Sequence, residues 1–191
     1  MRKLTYLVAA TIDGHITGPD NGNPDFFLYA GDHMDELRTE YPEALPTQAR
    51  DFFGVADTPA KHFDTVLQGR STWELGAREG MTNTYRHLRN IVFSRSITES
   101  PDPTVEFVAT DPVAKVRELK AEPGMGIWLC GGGRLAAVLR PEIDEIVVKL
   151  HPIVAGTGIP MFSGHFSPAS YKLVDVKQFD SGVVHLTYAS A

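Results

Sequence analysis

A single cysteine, Cys130, stands in 191 residues, so no disulfide can form within the chain and no thiolate-rich metal site can be built. The seven histidines contain no HExxH pair and no pairing with the cysteine of the kind zinc needs. An excess of positive charge is also lacking: 18 Lys and Arg stand against 24 Asp and Glu, a formal charge of −6. A nucleic-acid binder would carry a basic face, whereas a local cationic pocket for a small anion is compatible with this balance. No apolar run approaches the roughly 20 residues of a membrane helix. The opening MRKLTYLVAA has the charge of a leader peptide, but Thr5 and Tyr6 break its short apolar run and no cleavage site follows. The expected location is the cytoplasm, with neither nucleic acid nor membrane as partner. Repeats, low-complexity tracts and linkers are missing too. With 42% hydrophobic and 22% charged residues, the chain has the composition of a folded protein. Its length suits one domain over residues 1–191.

What is present alternates between strand and helix signals. Leu4 to Ile12 reads as a strand buried on both faces. Asp13-Gly14 breaks it, and a loop rich in Gly, Pro, Asn and Asp runs to Pro24. Helical material occupies residues 32 to 54, interrupted by Pro42 and Pro46. Further strands are expected at Phe63–Leu67, Asn90–Phe93, Val105–Ala109, Ile127–Cys130 and Ile143–Leu150. Asp111-Pro112 begins a helix, with Asp as cap and Pro in the first turn, and Pro123-Gly124 stops it. A second helix follows the triple glycine at 131–133. Tyr171–Phe179 and Val183–Ala189 flank Asp180-Ser181-Gly182, the pattern of a hairpin. The sum is an α/β fold with a mostly parallel central sheet and a C-terminal antiparallel hairpin.

Three strand ends carry anion-binding chemistry. Gly131, Gly133 and Ala136 match G-x-G-x-x-A, the dinucleotide fingerprint, between a strand and a helix. Glycines let backbone amides approach a pyrophosphate, and a helix start favours negative charge. The ribose-binding acid of the usual unit is absent, because the next strand ends Lys149-Leu150-His151; the turn therefore reads as a phosphate site in another kind of sheet. Gly69-Arg70-Ser71-Thr72 repeats the logic with a bidentate cation and two hydroxyls. Ser94-Arg95-Ser96 is the third. Each has a plain alternative, a tight turn, a helix cap or a surface arginine, but all three fall at carboxyl ends of strands, where open α/β sheets bind ligands.

Taken in order, AATIDGHITG, VLQGRSTWE, NIVFSRS, IWLCGGGRL, DEIVVKLHPIVAGTGIPMF and the final hairpin resemble the dihydrofolate reductase superfamily. Within it the chain is similar to stand-alone bacterial proteins related to the reductase (RibD C-terminal) domain of riboflavin biosynthesis. The resemblance implies a three-layer fold, NADPH as cofactor, a small-molecule substrate and a homodimer. It implies that Ala9 and Ile16 flank the nicotinamide and that Gly69, Arg70, Ser71 and Thr72 bind phosphates. Ser94 and Arg95 would address the 2′-phosphate, and Gly131, Gly132, Gly133, Arg134 and Leu135 the pyrophosphate. Independently of any family, arginines with hydroxyl neighbours favour a 2′-phosphate over a bare ribose, which would want an acid.

The acceptor side is less specified. The loop ITGPDNGNPDFFLYAGDH lacks the Trp of true dihydrofolate reductases and offers several acids, and residues from about Tyr41 to His62 form an insertion. Asp25, flanked by Phe26 and Phe27, is the first choice for a proton-handling group, its alternative being a turn residue. Asp13 lies nearer the nicotinamide loop but belongs to an Asp-Gly turn pair. Asp32 is the third, its alternative a helix cap. Three functions fit these residues: reduction of a C=N or C=O bond in a pterin- or pyrimidine-like molecule, an aminouracil reductase acting on a ribosylated phosphate, and NADPH binding without turnover.

Overall fold

The computed structural model describes residues 1–22, 24–97 and 99–191. The strands are β1 (Leu4–Thr11), β2 (His15–Thr17), β3 (Phe63–Gly69), β4 (Arg89–Phe93), β5 (Val105–Val108), β6 (Gly126–Gly131), β7 (Glu145–His151), β8 (Ile159–Pro160), β9 (Tyr171–Gln178) and β10 (Val184–Ser190). The helices are α1 (Asp32–Glu40), α2 (Thr47–Phe52), α3 (Arg70–Arg78), α4 (Pro112–Ala121) and α5 (Gly133–Leu139). Eight strands form one sheet in the order β5-β4-β3-β6-β1-β7-β10-β9, and β2 pairs with β8 apart from it. β5 through β7 run parallel, whereas β10 joins β7, and β9 joins β10, in antiparallel register. The expected strands and the hairpin are all present; the short β2–β8 pair had no signal, because two or three residues carry no periodicity.

The alternation of side chains builds two layers on the sheet. Tyr6, Val8 and Ala10 of β1 face Val116, Leu119, Leu135, Ala136 and Leu139 of α4 and α5. Leu7, Val66, Trp128 and Val147 point to the opposite face, where Leu37, Ala44, Leu45 and Leu88 cover them. Each fully buried aliphatic side chain contributes roughly 1.5–3 kcal/mol. Asp111 caps α4 as the sequence predicts, its Oδ1 accepting from Val113 N at 2.9 Å.

The insertion of residues 41–62 belongs to this second layer. The carboxylate of Glu43, fully buried, accepts the amides of Lys61, His62 and Phe63 at 3.3, 2.7 and 3.0 Å. Buried Arg50 donates to the carbonyls of Pro42, Ala56 and Thr58 at 2.7–2.8 Å. Both charged groups are absorbed in folding an irregular segment onto the sheet, because buried backbone polar groups must find partners. Among the described residues, no helix is long and apolar enough to cross a membrane.

Candidate functional site

The tips of β4, β3 and β6 are neighbours, and β3 and β6 share one space. A Cβ built on Gly69 would lie 3.6 Å from Gly132 N and 3.7 Å from Gly131 O; one on Gly132 would lie 3.4 Å from Thr72 Oγ1. Gly131 has φ of 141°, a conformation that favours glycine, and the Gly131–Gly132 peptide is cis. Glycine at each position thus leaves open a cradle that side chains would fill. The triple-glycine turn thus lies against the end of β3 and the first turn of α3.

Arg70 opens α3, whose first turn contains no acidic residue. A cation and the positive end of a nine-residue helix therefore coincide, an arrangement that an anion relieves. Arg70 is exposed, donates to Ser96 Oγ at 2.9 Å and lies 3.5 Å from Glu74, so it links the β3 and β4 tips. Gly69, not Ser71, takes the cap position of α3, which leaves the Ser71 hydroxyl exposed. Ser94 is buried and its Oγ accepts the amides of Ser96 and Ile97 at 3.3 and 2.9 Å; it shapes the turn that presents exposed Arg95. Arg134 is exposed, and Leu135 packs in the core beside Gly69. Below the tips, Gln68, Asn90, Asn83 and Thr104 join side chain to side chain at 2.8–2.9 Å, a ladder of satisfied amides that fixes β3 against β4.

The β1 tip is closed by the loop after β7. Asp13 accepts from Thr11 Oγ1 at 2.6 Å, Ala155 N at 3.0 Å and Gly156 N at 2.7 Å. These bonds, that of Thr11 first, hold its carboxyl well below the usual range. Met161 N donates to Gly14 O at 3.0 Å and Ser163 N to Gly133 O at 2.9 Å, so the β1, β6 and β7 loops interlock. Ile16 packs against the α5 side of the core with Met161 and Phe162. Ala9, half-buried, lies on the opposite face beside Lys149.

On that opposite face the helical layer stops short of the tips. Leu7, Trp128 and Val147 are buried, but Ala9, Cys130 and Lys149, nearer the tips, are half-buried, as is Tyr85 above them. They line a recess. Tyr85 Oη lies 3.8 Å from Cys130 Sγ, and burial pushes the thiol up to about 11, which makes it a poor nucleophile. Beside the recess lie three buried histidines. Nε2–H of His33 donates to Leu28 O at 3.0 Å while its Nδ1 faces Ser181 Oγ at 2.9 Å. His151 Nδ1 accepts from Leu28 N at 3.3 Å and its ring lies 4.7 Å from Phe27. Burial lowers His151 to about 4 and His185 to about 3. Apart from Cys130, which reads from the sequence as a small buried hydrophobe rather than a nucleophile, none of this carries a local signal; the nearest is the Lys149-Leu150-His151 ending of β7, a cation where a ribose-binding acid would stand.

The three acids fall in different places. Asp13 is the loop clamp just described. Asp32, the first residue of α1, accepts the amides of Asp180 and Ser181 at 2.7 and 3.1 Å, pinning the β9–β10 turn to the helix. Asp25 is exposed in the loop beyond the recess, close enough to Tyr29 to raise that phenol, whose burial acts first. Phe27 is buried and Phe26 exposed, so only one of the pair packs inside. Among the described residues, no group of three or more His, Cys, Asp or Glu side chains is placed to hold a metal.

A family model described as the RibD C-terminal domain matches residues 2–185. Two Bacillus subtilis (strain 168) proteins are similar along nearly their whole lengths. YyaP is 28% identical over 200 residues, covering 98% of this chain and 94% of its own; YwjB is 30% identical over 184 residues, covering 95% of each. A solved putative riboflavin biosynthesis protein from Shewanella sp. PV-4 superposes with a TM-score of 0.69 at 20% identity, covering 100% of this chain and 99% of that one. A Thermotoga maritima diaminohydroxyphosphoribosylaminopyrimidine deaminase/5-amino-6-(5-phosphoribosylamino)uracil reductase gives 0.66 at 18% identity, covering 100% of this chain and 57% of that one. At these identities the two structures establish a shared fold.

Proposed function

The chain belongs to the RibD C-terminal domain family, and from that membership we propose that it is an oxidoreductase reducing a small heteroaromatic acceptor, pterin-like or pyrimidine-like, with NADPH. The observation that carries the reading is the cradle shared by the β3 and β6 tips, where a Cβ on Gly69 would meet Gly132 N at 3.6 Å. The residues fit the cofactor. Backbone at Gly69 and Gly131–Gly133 suits a pyrophosphate, with Arg70, Ser71, Thr72, Arg134 and Leu135 around it. Ser94 and Arg95 suit the 2′-phosphate, and Ala9, on the recess face, would border the nicotinamide, with Ile16 closing the same end of β1 from the α5 side. NADPH would supply the hydride. The protein's part is to grip the phosphates, keep a dry recess beside Ala9 and orient the acceptor there.

The name of the Thermotoga neighbour makes a ribosylated aminouracil the first acceptor to try, followed by dihydrofolate and pterins. Binding of NADPH with no oxidation by any of them would favour a nucleotide-sensing protein. The phosphate assignment has its own test. Arg70→Ala and Arg95→Ala should each weaken NADPH binding roughly ten- to hundredfold, the worth of a charge-assisted bond, and weaken NADH less. Equal losses for both cofactors, measured by fluorescence titration, would remove the 2′-phosphate from these arginines.

A homodimer is part of the same proposal. β9 ends the sheet, its Leu173, Val174 and Val176 are exposed, and an unprotected apolar edge strand invites a partner. Light scattering should give twice 21.0 kDa, and Val176→Lys should return the monomer. A wild-type monomer would exclude this use of the edge. The cytoplasm is the location that an NADPH-dependent role fits.

A further inference from the structure

Lys149 is a cation without an anion. It sits on the recess face of β7, opposite Ala9 of β1 and His185 of β10. Among the described residues it has neither a hydrogen-bonding nor an ionic partner, although lysines elsewhere in the chain pair with Glu106, Asp144 and Glu36. The titratable groups that face it are Cys130 from β6, His151 from β7 itself and His185 from β10, with Tyr85 beyond Cys130 and His33 of α1 beside the two histidines. None is a carboxylate. His185 supplies a second orphan: it is 5% exposed, and its Nε2 is buried without a partner. Burial lowers the ammonium of Lys149. An unpaired desolvated charge destabilises a fold, so its presence in a half-open recess calls for a partner that arrives from outside.

We propose that Lys149 binds an anionic oxygen, a carboxylate or an enolate, carried by the molecule that is reduced. This rests on the reading of the recess as the acceptor site and narrows it, because such a pocket refuses a protonated diaminopyrimidine and selects an oxygen-rich, acidic heterocycle. Asp13 and Asp32 are spent on amides elsewhere, so neither of them sets the charge of the ligand.

The test titrates the NADP⁺-loaded protein by calorimetry with orotate, uracil and 2,4-diaminopyrimidine, which share a ring and differ in charge. Wild type should prefer orotate. Lys149→Met should lose roughly ten- to hundredfold in orotate affinity with little change for uracil, and Lys149→Arg should restore most of the loss. The melting temperature of Lys149→Met should stay level or rise, the reverse of what a structural lysine would give. Equal orotate affinity in wild type and Lys149→Met, or no preference for orotate in wild type, overturns the proposal. Titration of NADP⁺ itself is the separate arm: its failure removes the oxidoreductase reading, whereas NADP⁺ binding with no orotate preference removes only the role of Lys149.

Discussion

The tips of β3, β4 and β6 and the tips of β1, β7 and β10 lie along one edge of one sheet, yet their chemistry is opposite. The first set is wet: glycine backbone, exposed Arg70 and Arg95, and serine hydroxyls. The second is dry: Lys149 unpaired among the described residues, His151 and His185 pushed toward neutrality, Phe27 and Phe179 packed on their rings. The difference follows from what covers them. α3 and α5 start at the first set, so their chain ends stay open to a ligand. α1, the 25–29 loop and the hairpin turn fold over the second. A polyanionic molecule suits solvated, rigid donors, whereas a hydride acceptor needs a place from which water is excluded.

The sharpest way to break the contrast is to add one methyl group to each glycine class. A Cβ on Gly133 would lie 2.2 Å from Pro160 O, a backbone atom held by the interlocked loops. Gly133→Ala should cost about 2–4 kcal/mol, a fall of roughly 5–15 °C in melting temperature. Gly69→Ala meets only ordinary contacts, its φ is −76°, and its fold should survive. It fills the cradle instead, so NADPH affinity should drop roughly tenfold at an almost unchanged melting temperature. Calorimetry and ligand titration on both variants decide it; loss of stability in Gly69→Ala would mean that the glycine serves packing alone.

The dry side carries a pH signature. Burial depresses His151 to about 4 and His185 to about 3, and desolvation lowers His87 in the same direction. The unfolded chain takes up these protons near 6.5 and the folded one does not, so stability is full above pH 6.5 and declines as pH falls toward 4. Asp13 and Asp32 are also depressed, but their contribution is lost only below about 3.8, so the upper window belongs to histidine. Melting curves from pH 4.5 to 8 should show that slope, and His185→Phe, which keeps a ring against Phe179, should flatten part of it. A flat wild-type curve would mean that the histidines are solvated.

The same contrast explains what could be read in advance. The wet side is written in contiguous segments: GRST, SRS and GGGR each end a strand signalled by its own apolar run, and backbone chemistry needs only glycine and the neighbouring side chain. The sheet was legible for the same reason, since each strand and the capped helix at Asp111 carry local signals. The dry side is assembled from α1, the loops near 28 and 85, β6, β7 and β10. Nothing in Lys149, Cys130 or His185 alone marks a site until β7 stands beside β1 and β10. Asp13 and Asp32 drew notice as acids near the right loops, but their partners, the amides of residues 155–156 and 180–181, lie more than a hundred positions away.

Asp25 is where that reading can still be sharpened, and there the expected effect is smallest. A general acid of real consequence is held against its target and contributes about 10²–10⁴ in rate. Asp25 is exposed, on the solvent side of the recess, with Tyr29 as its neighbour. Water reaches that position as readily as a carboxylate does, and can relay a proton in its place. Asp25→Asn should therefore lower turnover by less than about tenfold, with NADPH affinity and melting temperature unchanged. A loss of a hundredfold or more in turnover, with binding intact, would bring the 25–29 loop down over the acceptor during reaction and make Asp25 the acid that faces the hydride's target.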